Sequence, residues 1–143
     1  MEIKQTRDTL SKTYLTALKI RQEVFVKEQG VPLGLEIDKN EAHAIHFVLF
    51  DNKKALSTLR LLEINPETVL VQRVATPKDK RGLGYGTLLL EEAIKFASDK
   101  NYKVIQLHSQ VSAQNFYEKM GFKAYGKPYM EASIEHINMR KSL

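Results

Sequence analysis

The sequence predicts one α/β (α+β) domain over residues 1–143, with a mixed central sheet of about six or seven strands and about four flanking helices. Three observations carry this. The chain is 143 residues long, 43% hydrophobic and 27% charged, which suits a single packed domain. Its front half reads as strand runs joined by tight turns. Its middle reads strand, glycine loop, helix, strand, a crossover that requires a parallel pair within an otherwise antiparallel sheet.

Taken in order, a short strand over residues 2–5 precedes a helix capped at Asp8 or Thr9. Leu10, Tyr14, Leu15, Leu18, Gln22 and Phe25 follow on a helical period, and the helix ends near Gly30. "VPLGLEIDKNEAHA" follows, turn-rich and carrying Glu36, Asp38 and Glu41. It reads as too polar for core and as a candidate binding loop. "AIHFVLFD" and "ALSTLRLLEI" are β-branched and aromatic runs around the turn "DNKK", an expected antiparallel hairpin. "TVLVQRVAT" is a further strand after the turn at Pro66.

A helix over about residues 85–100 then presents Leu89, Leu90, Ala93, Ile94 and Ala97 to the core, with Glu91 and Lys95 spaced for an exposed pair. Strand "YKVIQLHS", a short helix over about residues 113–120, and strands "KAYGKPYM" and "HINMRK" complete the chain.

Composition excludes several chemistries. With no cysteine there is no disulfide, thiolate metal site or cysteine nucleophile, which suits a reducing interior. No secretory pattern opens the chain and no apolar run approaches bilayer length, so a cytoplasmic protein without a membrane partner is expected. The net charge of +5 favours anionic partners in general. The basic residues are scattered apart from "KDKR" (Lys78–Arg81), so no nucleic-acid partner is expected. No metal site is expected either. His43 and His46, read as strand residues three apart, point to opposite faces and cannot share an ion with Glu41.

"KDKR" leads into "RGLGYG", three glycines at every second position before a helix. Bare backbone at a helix mouth suits an anion, because the first N–H groups are unpaired and the dipole favours negative charge. A Walker loop needs a lysine after its last glycine, where Thr87 stands. A dinucleotide fingerprint needs different glycine spacing and an acid where Gln106 stands. A phosphate cradle and a plain tight turn remain as readings of the residues alone.

The pattern R-x-x-G-x-G after a strand, joined to "QVSAQNFYEKMGF" downstream, resembles the GNAT superfamily of acetyl-CoA-dependent N-acetyltransferases. "IRQEVFVKEQGVPLGLEID" and the terminal "HINMRK" are similar to its small ElaA/YjcF-like branch.

The resemblance implies a GNAT fold whose sheet splays between the fourth and fifth strands, and acetyl-CoA as co-substrate. The coenzyme pyrophosphate would lie on the N–H groups of Arg81, Gly82, Leu83, Gly84, Tyr85, Gly86 and Thr87. The pantetheine arm would pair with Val74, Ala75 and Thr76, with Gln110, Ala113 and Phe116 completing the coenzyme site. Gln110 stands where many superfamily members have asparagine.

Tyr117 matches the family's general acid, although Ala113, Phe116, Tyr117 and Met120 equally form a buried stripe. For a general base the candidates are Glu28, Glu36, Asp38, Glu41 and His108, or an ordered water. Glu28 and Gln29 would border the acceptor. His108 stands at a strand end, and histidine is the residue type suited to proton exchange near neutral pH. Arg60 and Arg73 should emerge from the sheet, where either could bind an acceptor carboxylate or phosphate, or simply face solvent.

The expected acceptor is a small-molecule primary amine. A protein- or RNA-linked acyltransferase and a non-catalytic acyl-CoA-binding module are the alternative readings, and a homodimer is compatible with each.

Overall fold

A computed structural model describes residues 1–143. Strands β1 (Glu2–Thr6), β2 (Ile45–Asp51), β3 (Lys54–Asn65), β4 (Thr68–Ala75), β5 (Val104–Gln110), β6 (Lys123–Glu131) and β7 (Ile134–Ser142) form one sheet in the order β1-β2-β3-β4-β5-β7-β6. Every neighbouring pair is antiparallel except β4–β5. The helices are α1 (Lys12–Arg21), α2 (Leu33–Glu36), α3 (Tyr85–Asp99) and α4 (Gln114–Lys119).

Alternation along the strands decides which helix covers which face. Phe47, Leu49, Leu59, Leu61, Val69 and Val71 face α3, whose Leu89, Leu90, Ala93 and Ala97 are wholly buried. Glu91 and Lys95 are on the wet side but form no ion pair. Val48 and Ala75 point the other way and meet Ala17, Ile20 and Val24 of α1 and its extension.

The first helix differs from its sequence pattern. Its cap is Ser11, whose Oγ accepts from the N–H of Tyr14 at 3.2 Å, rather than Asp8 or Thr9. Leu10 and Leu15 are exposed, while Tyr14, Ala17, Ile20 and Arg21 are buried. Beyond Arg21 the helix widens into π-helical turns over Gln22–Glu28, which shifts the period and brings Val24 inward.

The turn "DNKK" is the expected hairpin, with Asn52 and Lys53 both at positive φ. At the far edge β6 departs from regular pairing between Tyr125 and Tyr129, where Gly126 (φ +74°), Lys127 and Pro128 sit. Lysine, proline and irregular pairing together discourage association along that edge.

Candidate active site

Two local features create the site. The first is an irregularity in β4. Thr58 pairs with Ala75 and Arg60 with Gln72, so Arg73 and Val74 together oppose Leu59 alone. Arg73 takes φ +57°, a left-handed conformation that a non-glycine residue adopts only under constraint. Parallel pairing with β5 ends at Val71–Leu107. Beyond that point β5 stays paired with β7 as far as Gln110–His136, so β4 and β5 part at their C-terminal ends. This is the splay, and it leaves the end of β4 facing an opening where open α/β sheets place ligands.

The second feature is the start of α3. Its cap is Gly84 at φ +83°, with no side-chain cap and no acidic residue in the first turn. The first helical bond in this turn runs from the N–H of Leu88 to the carbonyl of Gly84 at 3.1 Å, leaving the N–H groups of Tyr85, Gly86 and Thr87 unpaired. Gly82 is also left-handed, at φ +76°. A Cβ on either Gly82 or Gly84 would meet nothing within 4 Å, so the loop is open rather than crowded. Gly86 is different: a Cβ there would lie 3.8 Å from Thr76 Oγ1 and 4.0 Å from Phe116 Cζ. The loop, the end of β4 and α4 therefore converge at Gly86. Leu83 is exposed.

At the end of β4, Ser57 Oγ donates to the carbonyl of Ala75 at 3.1 Å and lies 2.9 Å from Thr76 Oγ1. The Thr76 carbonyl accepts from Arg81 Nε at 2.8 Å. Of the Val74, Ala75 and Thr76 carbonyls assigned to the pantetheine arm, two are thus already engaged, and only that of Val74 remains clear of these bonds.

A 3-10 turn (Val111–Ala113) carries β5 into α4, so Gln110 and Ala113 bracket the turn beside the splay. Tyr117 packs edge-on against Phe116 (ring centres 5.0 Å apart) and Phe122 (6.1 Å), over the core that contains Leu107. It is half-buried, while Phe116 is exposed, so the short helix does not present the buried stripe its spacing suggested. Burial pushes the Tyr117 hydroxyl up to about 12, so it keeps its proton through the neutral range. His108, next to Leu107 in the strand, points to the opposite face and is exposed. Its ring neighbour is Tyr129, at 6.3 Å.

The acidic loop is the main correction. Glu36 and Glu41 are buried, and the segment over Leu33–Ala44 folds onto the α1 face of β2–β4. Three arginines meet three carboxylates there. Arg21 donates from Nε to Glu36 at 2.7 Å and from Nη1 and Nη2 to Glu41 at 2.7 and 3.0 Å. Arg60, wholly buried, donates to Glu41 at 2.8 Å, to Asp38 at 2.8 Å and to Gln72 at 2.7 Å. Its partners absorb the guanidinium, so it does not emerge to meet an acceptor.

Arg73 is half-buried and held loosely, at 3.2–3.3 Å from the carbonyls of Leu35 and Glu36 and from Asp38. Burial alone would push the Glu41 carboxyl up. The hydrogen bonds from Arg21 and the Asp38 N–H, with the charges of Arg21 and Arg60, outweigh it and hold it at about 2. Glu36, Asp38 and Glu41 thereby serve the fold, and Glu36 Oε2 is the one carboxylate oxygen of this group buried without a partner.

His46 sits in the same layer, with Nε2 donating to the Glu41 carbonyl at 2.8 Å and burial lowering its pKa. His43 lies in a turn rather than on the strand, and is exposed. Glu28 ends the π-helical turns and forms a bidentate pair with Arg81, at 2.7 and 2.6 Å. The hydrogen bond from Arg81 holds its carboxyl below the usual carboxylate range. Gln29, next to it, is exposed.

Sequence patterns did not expose the β4 irregularity, because Arg73 and Val74 read as ordinary strand residues. The only available signal was a hydrophilic pair, "QR", interrupting an apolar strand.

A splayed parallel pair beside an uncapped glycine-rich helix start defines an acyltransferase architecture. The chain belongs to the GNAT acetyltransferase family, in its ElaA/YjcF-like branch: the family model for the acetyltransferase (GNAT) domain matches residues 9–143. The uncharacterized N-acetyltransferase YjcF of Bacillus subtilis is 32% identical over 126 residues, covering 87% of this chain and 89% of that protein. An acyl-CoA N-acyltransferase from Pseudomonas aeruginosa superposes with a TM-score of 0.87 at 30% identity, covering 98% of both chains. Escherichia coli ElaA also superposes at 0.87, with 27% identity and 98% of both chains covered.

Proposed function

We propose that the protein transfers acetyl from acetyl-CoA to a primary amine of a small-molecule acceptor. The observation that carries this reading is the coincidence of two hydrogen-bonding features: β4 beyond Val71, where pairing with β5 has ended and the Val74 carbonyl is clear of the bonds that engage Ala75 and Thr76, and the unpaired N–H groups of Tyr85, Gly86 and Thr87. An anion binds the second feature while an extended amide-bearing arm pairs with the first. Acetyl-CoA carries both parts and supplies an activated acyl group as a thioester. The Pseudomonas aeruginosa relative, described as an acyl-CoA N-acyltransferase, supports the donor class.

The residues divide the remaining work. Gly82 and Gly84 let the loop curve so that backbone reaches the phosphates, and "KDKR" adds positive charge at its entrance. Val74 offers strand N–H and C=O groups, with Gln110 and Phe116 bordering the arm. Tyr117 holds a proton at its hydroxyl on the α4 side and donates it to the departing thiolate. His108 points to the opposite face, where its imidazole can take the proton of the incoming amine. Acid and base on opposite sides of the opening match a reaction in which the amine enters on one face and the thiol leaves on the other. Arg73, loosely held, supplies a guanidinium for an acceptor carboxylate or phosphate.

The test is a thiol-release assay with acetyl-CoA against amino acids, aminosugars and polyamines. Release with at least one small amine is expected. Coenzyme binding without release across the whole panel would instead favour a non-catalytic acyl-CoA-binding module.

A further inference from the structure

Arg81 opens the glycine loop, and each of its three guanidinium nitrogens donates one hydrogen bond. Nε donates to the Thr76 carbonyl at 2.8 Å, while Nη1 and Nη2 donate to the two Glu28 oxygens at 2.7 and 2.6 Å. Glu28 lies 53 positions earlier in the chain, at the end of the π-helical turns, so this pair ties the acceptor-side segment to the coenzyme loop. Both side chains are nevertheless open to water, 40% exposed for Arg81 and 35% for Glu28. An exposed pair of this kind contributes little to stability.

Its geometry has another use. The planar fork of an arginine donates to two oxygens of a phosphate as readily as to two of a carboxylate. Thr76 holds the fork at the end of β4, beside the unpaired N–H groups of α3. The carboxylate therefore occupies the place of an incoming anion.

Resting on the coenzyme reading above, we propose that Glu28 is a built-in stand-in anion for the coenzyme pyrophosphate. The pyrophosphate displaces it from Arg81. The Glu28 carboxylate, released at the mouth of the cleft, then attracts a cationic amine. Donor loading thus creates the acceptor's counter-charge, and an amine meets a paired, neutralised Glu28 until the coenzyme is in place. Nothing in the exchange breaks a covalent bond; one ion pair replaces another.

Calorimetric titration of coenzyme A into the wild type, Glu28→Gln, Arg81→Gln and the double variant tests this. Glu28→Gln is expected to bind coenzyme A about two- to fivefold tighter, the range an exposed pair can withhold, and the gain is expected to vanish in the Arg81→Gln background. Weaker or unchanged binding by Glu28→Gln would overturn the proposal. So would a gain that persists without Arg81, since that would reflect the general field of the carboxylate. With an amine that supports thiol release, Glu28→Gln should lower the KM for acetyl-CoA and raise that for the amine; an unchanged amine KM would refute the release step. If the wild type binds no coenzyme A, the coenzyme reading itself fails and the proposal falls with it, a result distinct from normal wild-type binding with no effect of Glu28→Gln.

Discussion

Glu41→Gln keeps the shape of the side chain and removes its charge, and it is expected to cost about 3 kcal/mol of stability at pH 7. Glu41 accepts from Arg21, Arg60, Tyr14 and the Asp38 N–H. Its carboxyl is held at about 2, against an ordinary 4.5. At about 1.4 kcal/mol for each pH unit, that depression corresponds to about 3 kcal/mol of native-state stabilisation. Removing one partner from a buried ion-pair cluster, here leaving Arg21 and Arg60 short of a counter-charge, costs a comparable amount.

The sign follows from the depressed value. The contribution is complete above pH 4.5 and is lost as pH falls towards 2. Urea denaturation of both proteins at a series of pH values measures it. The gap should be near 3 kcal/mol at pH 7 and close progressively below pH 4.5. A gap under about 1 kcal/mol at pH 7, or one independent of pH, would refute a stabilising role for this charge.

Two further substitutions probe the reaction centre. Gly86→Asp is expected to raise thermal stability slightly, because a carboxylate in the first turn suits the helix dipole and the new Cβ makes only ordinary contacts. Coenzyme A affinity should fall at least about tenfold by calorimetry, because the same carboxylate occupies the cradle; unchanged affinity would move the phosphates elsewhere. Tyr117→Phe is expected to lower kcat about a hundredfold while leaving coenzyme affinity intact. The wild-type rate should show no alkaline fall from this tyrosine until pH approaches 12. An unaffected rate in Tyr117→Phe would remove the hydroxyl from the mechanism.

Much of the architecture is local and therefore readable along the chain. β-Branched and aromatic runs mark the strands, "DNKK" marks the hairpin, and Leu89, Leu90, Ala93 and Ala97 mark the buried stripe of α3. The glycine loop is equally local, because left-handed backbone and an uncapped helix start depend on the residues at those positions. The crossover from β4 through α3 to β5 follows from element order, and with it the parallel pair on which the site is built.

The charged residues behaved differently because charge is matched across space. Glu36, Asp38 and Glu41 look like a solvated loop in sequence, since their counter-ions are 15 or more positions away on α1, β3 and β4. Only folding brings Arg21, Arg60 and Arg73 over them and turns a polar loop into an interior layer. The same holds for Glu28, whose partner lies in another element, and for Arg73, whose left-handed backbone arises from strand pairing on one side and a parting strand on the other. Sequence by itself determined the strands, their order and the open helix start. Tertiary structure alone decided which charges are spent on holding the fold together and which stay at the opening, because the partners that neutralise a charge meet only when the chain is folded.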